Sequence, residues 1–110
     1  MSNLDTAALE TLKEVMEDEF HLLLDTFFED STQRLADLKQ HVAEQDAEAL
    51  RRTAHSLKGS ASNLGALGLA DLCLKAEAMG VAGNLTGAEA LVASIHTEYE
   101  SVSQALETYR

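Results

Sequence analysis

The sequence predicts an all-α chain, an antiparallel four-helix bundle with a short additional helix at its N-terminus. Three observations predict it. Proline is absent and β-branched residues are sparse among abundant Ala, Leu, Glu and Gln, so helix propensity is high almost everywhere. Apolar residues recur at steps of three and four, the helical period. The connections between these periodic stretches are short, and near-heptad seams so joined pack antiparallel at crossing angles of about 20°.

The first helix is expected from about Asp5 to Met16, with Leu9, Leu12, Val15 and Met16 at helical spacing. A long second helix follows over roughly Asp18 to Ala43, its stripe formed by Phe20, Leu24, Phe27, Ser31, Leu35, Leu38 and Val42. Asp46 is the expected N-cap of the third helix, because its side chain can accept from an otherwise unpaired amide of the first turn. That helix carries the seam Leu50, Ala54, Leu57, Ala61 and Leu64, and Gly65 ends it. The fourth is expected over about Leu67 to Met79, with Leu69, Leu72, Cys73, Ala76 and Met79 inward. The glycines of GVAGNLTG then make the longest loop. Thr86 and Glu89 have the spacing of a capping box. They open a last helix whose seam is Ala88, Val92, Ile95, Tyr99, Val102, Leu106 and Tyr109.

A chain of 110 residues and 11.9 kDa fits one domain, residues 1–110, with a single core. No apolar run approaches the roughly 20 residues that span a bilayer, so no membrane segment is expected. The opening MSNLDTAALE lacks the basic and apolar regions of a secretory leader, and the lone Cys73 cannot form an internal disulfide; both point to the cytoplasm. The net charge of -11 would be repelled by a polyanion, which argues against nucleic acid as a partner. That charge is uneven. No acidic residue lies between Glu48 and Asp71, whereas Arg51, Arg52 and Lys58 all do.

The middle of that stretch, RRTAHSLKGSASNLG, holds the candidate site. At about 100° per residue, His55 lies roughly 145° from the seam of the third helix and so faces solvent. Arg51, Arg52, Lys58, Gly59 and Ser62 fall beside or around it on the exposed side. Gly59 costs about 1 kcal/mol relative to Ala in a helix interior. One turn beyond His55, its missing side chain clears space above the ring, Lys58 offers a cation to phosphoryl oxygens, and the small Ser62 keeps the next turn open. Geometry alone leaves two readings of equal standing: an accessible, nucleophilic imidazole in a basic patch, or an exposed helical histidine with incidental neighbours.

The segment AHSLKGSASNLGALGLADLCLKAEAMG resembles the histidine phosphotransfer (HPt) domain family, whose motif is matched here by His55, Leu57, Lys58, Gly59, Ser60, Leu64, Gly65, Leu69, Cys73 and Glu77. The resemblance extends over the whole length, since such domains are four-helix bundles with an extra N-terminal helix. It implies that His55 accepts and donates phosphoryl groups on Nε2, with Lys58 near the phosphoryl oxygens and Gly59 giving access. It implies also that Glu77, where the family usually has Gln or Glu, hydrogen-bonds Nδ1 and so orients Nε2 outward. The implied partners are the receiver domains of hybrid sensor histidine kinases and of a response regulator. No cofactor is implied for this chain; the receiver supplies the Mg²⁺ site and the acceptor aspartate. No G-x-x-x-x-G-K-[ST] loop is present and the chain has no room for an ATP-binding kinase domain, so a carrier without autokinase activity is expected. A free-standing, monomeric HPt protein is the form the resemblance suggests.

Receiver docking is expected on the exposed faces of the second and third helices. There Leu22, Leu23 and Phe28 exceed what one seam needs, and Leu23 and Phe28 are the candidate contact residues; a wide core stripe under the first helix is the competing explanation. Two other classes of function explain less. A metal-binding bundle needs inward Glu and Glu-x-x-His sets on several helices, and only Asp18 and His21 approach that spacing, with His41 and His96 on separate helices. A helical interaction scaffold without phosphate chemistry accounts for the long seams but for neither Gly59 nor the charge gap.

Overall fold

The computed structural model describes residues 4–110; residues 1–3, which begin the stretch read above as lacking a leader, lie outside it. Five α-helices occur among the described residues: α1 (Thr6–Met16), α2 (Phe20–Ala43), α3 (Ala47–Asn63), α4 (Leu67–Ala82) and α5 (Ala88–Glu107). A single 3₁₀ turn, Glu17–Glu19, joins α1 to α2. Each of α2 to α5 packs on its neighbours in chain order, and α5 closes the ring against α2. The result is an antiparallel four-helix bundle, with α1 laid at one end. It is 42 Å long, close to the ~36 Å that the 24 residues of α2 require at 1.5 Å each.

The core follows the seams. All seven stripe residues of α2 are buried, including Ser31, and so are Leu50, Ala54, Leu57, Ala61 and Leu64 along α3. In α5 the buried set is Ala88, Val92, Ile95, Tyr99, Val102 and Leu106, with Tyr109 only partly buried. Leu9 anchors α1 to the core, but Val15 is 75% exposed, because α1 covers one end of the bundle over only part of its length.

Helix ends are set by local chemistry. Asp5 and Asp46 accept from Ala8 N and Ala49 N, each at 3.0 Å, and so cap α1 and α3. At the end of α3, Gly65 adopts φ 71° while Ala66 N donates to Ala61 O and Gly65 N to Ser62 O, the paired bonds of a Schellman motif. Asp5 packs directly over this turn: its N donates to Gly65 O at 2.8 Å, and a Cβ on Gly65 would stand 3.1 Å from Asp5 Cβ. Position 65 thus needs glycine for its backbone angle and for the approach of the N-terminal segment.

Two boundaries differ from expectation. α4 continues three residues past Met79, through Gly80, to Ala82, and Gly83 at φ 69° ends it. Gly80 reads as a helix breaker, yet it is where two helices touch: a Cβ there would lie 2.7 Å from Ala47 O and from Arg51 Cβ. The expected capping box of Thr86 and Glu89 does not form. Gly87, at φ 83°, precedes α5 without a side-chain cap, and Asn84 Oδ1 instead accepts from Thr86 N at 3.1 Å. A residue in the left-handed region cannot aim its neighbours as a box requires.

Candidate functional site

The site is built where α3 and α4 approach most closely. Their shared seam is rich in small buried side chains, Ala54 and Ala61 on α3 and Cys73, Ala76 and Gly80 on α4. Small residues let the backbones come near enough for one carboxylate to cross between the helices. Glu77 does so: Oε2 lies 2.8 Å from His55 Nδ1 and Oε1 lies 2.6 Å from Lys58 Nζ. His55, Lys58 and Glu77 form one triangle, with the ring 62% exposed and the carboxylate only 17%.

Electrostatics fix the tautomer. The Lys58 ammonium holds the Glu77 carboxyl below its ordinary value; partial burial opposes this and the imidazole hydrogen bond adds to it. An ionised carboxylate can only accept, so His55 Nδ1–H is the donor and the neutral ring keeps its free lone pair on Nε2. Gly59 lies one turn further along the same helix, and a Cβ there would meet no atom of the rest of the structure within 4 Å, its own helix backbone aside. Ser62, a turn further, is exposed.

The two arginines lie apart from this triangle. Arg51 is drawn to its own helix, its Nε donating to Glu48 Oε1 at 2.7 Å, and Glu48 is acidified mainly by that bond. Arg52 is exposed and lines a polar cleft between α2 and α3 with Asp30, Gln33, Arg34, Asp37 and Ser56. Within that cleft, Arg34 Nε donates to Ser56 Oγ at 2.8 Å. The basic stretch therefore presents Lys58 beside the ring and Arg52 on the α2 side, while Arg51 is committed elsewhere.

Leu23 and Phe28 are not a free apolar patch. Both are partly buried and packed on the core. Phe28 meets Phe27 edge-on at 5.9 Å and lies under the Arg110 guanidinium, 5.6 Å from the ring centroid. The cover over Phe28 thus comes from the end of the chain, and Leu22, at 55%, is the large apolar side chain that α2 leaves exposed.

The remaining chemistry-bearing residues are dispersed. His41 Nε2 lies 3.2 Å from Thr53 Oγ1 in the α2–α3 interface, and His96 pairs with Glu100 on the α5 surface. His21 and Asp18 are exposed. Among the described residues no cluster of three or more His, Cys, Asp or Glu side chains is placed to hold a metal ion. None of their helices is long and apolar enough to cross a membrane. Cys73 is buried, and burial pushes its thiol up to about 12 against the weaker pull of Lys58, so it offers no thiolate nucleophile. The Lys58–Glu77 pair, joined to His55 by the same carboxylate, is what residue-by-residue reading missed. Its signal was the placing of Lys58 on the His55 side of α3.

Comparison with known proteins agrees with this geometry. The model of the Hpt domain family matches residues 22–105. The crystal structure of histidine-containing phosphotransfer protein B from Pseudomonas aeruginosa PAO1 superposes with a TM-score of 0.93 at 43% identity, over 97% of this chain and 93% of that one. A search of curated proteins found no match. With a family model covering most of its length, and a bundle that presents one imidazole outward from its third helix, the chain belongs to the Hpt domain family of histidine phosphotransfer proteins, the phosphocarriers of two-component signalling.

Proposed function

We propose that the protein relays a phosphoryl group between receiver-domain aspartates in a multistep His–Asp phosphorelay, with His55 as the residue that carries it. The observation that supports this most is the Glu77 Oε2–His55 Nδ1 bond of 2.8 Å beneath an open Nε2. In the forward step the Nε2 lone pair attacks the phosphorus of an aspartyl phosphate. The N–P bond forms as the P–O bond to the aspartate breaks, and the carboxylate leaves with the electron pair. Nδ1 keeps its proton, so the ring becomes a phosphoimidazolium whose positive charge faces the Glu77 carboxylate. Transfer onward to a second aspartate reverses these bonds.

His55 is the nucleophile, Glu77 the positioning residue and Lys58 the cation next to the incoming oxygens. Gly59 and Ser62 leave room for the partner's active site. Arg52 adds positive charge on the α2 side, and Arg51 contributes to the field of the face without reaching the ring. The Mg²⁺ ion is held by the receiver, and the chain has no autokinase activity of its own. Its donors are receivers of hybrid sensor kinases and its acceptor a response regulator, met by a monomer in the cytoplasm.

The test is incubation with receiver domains charged by acetyl phosphate. Wild type is expected to gain an acid-labile, base-stable phosphoramidate. His55→Gln is expected to fold normally, since the ring contributes little packing, and to gain none. Label retained in His55→Gln would move the acceptor to His21, His41 or His96, and no label from any receiver would favour a scaffold.

A further inference from the structure

The ring of helices is not evenly closed. Where α5 returns against α2, a groove of about 830 Å³ runs between them, from Thr32 to Ala43 on one side and from Glu89 to Glu100 on the other. Leu35, Val42, Val92 and Tyr99 form its floor and keep 4–8% of their surface open, whereas Ala54, Ala61, Cys73 and Ala76 between α3 and α4 are at 0–1%. We propose that this groove receives an amphipathic helix of a partner protein, about three turns long, with a basic residue at each end.

The length and walls of the groove fit a helix. Residues 32–43 and 89–100 are stretches of equal length, so each wall runs for about 16 Å at 1.5 Å per residue. A helix of that length presents apolar side chains at i, i+3 or i+4, i+7 and i+11, which suits a floor of spaced apolar side chains. Along the walls stand Ala36, Ala43 and Ala93, all exposed. A single methyl at each of these positions lets a third backbone come close to both α2 and α5, as small residues do between α3 and α4.

Charge selects the partner. On the α5 wall, Glu89 and Glu100 stand at the two ends of the groove, about 16 Å apart. Glu89 makes no ion pair among the described residues, and Glu100 meets only the exposed His96 at 2.9 Å. Lys39 is the charged residue of the α2 wall and lies near its middle. A helix with Arg or Lys eleven residues apart therefore sets a cation at each carboxylate, and an acidic side chain midway along its other edge meets Lys39. Outside the basic stretch of α3 the chain is more negative than its total of -11, so a basic segment is attracted and a second copy of the chain repelled. The α2–α5 pair lies across the bundle from the α3–α4 pair. A helix seated there leaves His55 and Glu77 uncovered, so one partner can be held while another meets the imidazole.

The probe is a synthetic helical peptide of fifteen residues, with leucines at its third, seventh, tenth and fourteenth positions, arginines at the second and thirteenth, and a glutamate at the eighth. Its control carries glutamates in place of the arginines. On titration into wild type, amide shifts are expected to be confined to residues 32–43 and 89–100, the ring signals of His55 should not move, and the control should bind about tenfold more weakly. The double variant Ala36→Gln, Ala93→Gln puts two larger side chains into the groove at exposed helical positions. It should keep the circular dichroism spectrum of wild type and bind the arginine peptide about tenfold more weakly. No binding of that peptide at millimolar concentration, shifts centred elsewhere, equal binding of the two peptides, or undiminished binding to the double variant would each overturn the proposal. So would a groove already filled by a second copy, seen as a dimer that the double variant abolishes, or one that takes up dodecylamine but not the peptide.

Discussion

Gly59→Ala and Gly80→Ala make the same chemical change in two adjacent helices, and the structure separates their outcomes. In a helix interior, exchanging glycine for alanine gains about 1 kcal/mol, somewhat less within a turn of the end, where Gly80 sits. At position 59 the new methyl meets no atom within 4 Å, so that gain is expected in full. At position 80 it meets Ala47 O and Arg51 Cβ at 2.7 Å and Arg51 N at 2.8 Å, about 0.7 Å inside ordinary contact. Two of the three are backbone atoms, which cannot rotate aside, so α3 and α4 have to part. Overpacking of this kind costs about 1–3 kcal/mol, leaving Gly80→Ala destabilised by about 1 kcal/mol net. The two variants should then differ by about 2 kcal/mol, or about 8 °C in melting temperature for a chain of this size. Urea unfolding followed by circular dichroism measures the difference. Equal stabilities would show that the close approach of α3 and α4 stores no packing constraint. The same parting, one turn from Glu77, should lengthen its bond to His55 and slow transfer in Gly80→Ala.

Three further outcomes are expected. Glu77→Ala should slow transfer without unfolding the bundle, whereas Glu77→Gln, which can still accept from Nδ1, should largely preserve it; nitrogen NMR of the His55 ring reports the tautomer in each. Gln45 ends α2 with φ 58° and lies in a Schellman turn, with Asp46 N donating to His41 O at 2.9 Å. Gln45→Gly should therefore stabilise the protein by up to about 1 kcal/mol, read as a higher urea midpoint. The Glu77 carboxyl is held below its ordinary 4.5, chiefly by Lys58. A depressed carboxylate contributes stability that is present above its unfolded value and lost as pH falls through the folded one. The stability difference between wild type and Glu77→Gln should be flat near neutral pH and shrink below about pH 4.5, and a difference that grew on acidification would contradict the assignment.

The seams were legible because burial along a helix repeats with the helical period: the stripes read for α2 and α3 are buried at every position. Asp46 was legible as a cap because the bond it makes is local. What sequence could not supply was tertiary. Gly80 breaks the propensity pattern, and only the proximity of Ala47 and Arg51 explains a glycine inside α4. Thr86 and Glu89 have capping-box spacing, but Gly87 takes a left-handed angle that misaligns them. Phe28 reads as surplus to one seam until Arg110, from the far end of the chain, is found over its ring. At the site, spacing placed His55 and Lys58 on one side of α3. The resemblance supplied the role of Glu77, and the packing of α3 on α4 showed that one carboxylate serves both.

One carboxylate shared by a lysine and a histidine suits a carrier better than a catalyst. Before transfer, on the proposed reading, the site holds one negative charge on Glu77, one positive charge on Lys58 and a neutral ring. After transfer the ring is an imidazolium and the phosphoryl group adds about two negative charges. Glu77 is already bonded to Nδ1 and needs no movement to face the new cation. Lys58, bound to the other oxygen at 2.6 Å on a flexible four-carbon stem, can turn from the carboxylate toward the phosphoryl oxygens. Before transfer the charges balance; after it both positive charges face a negative partner with about one negative charge left over on the phosphoryl group, and most of the rearrangement falls to one side chain. Because the ring that carries the phosphoryl group is 62% exposed, water screens what imbalance remains. A site so arranged stabilises neither state by much over the other, which lets the phosphoryl group leave as readily as it arrives.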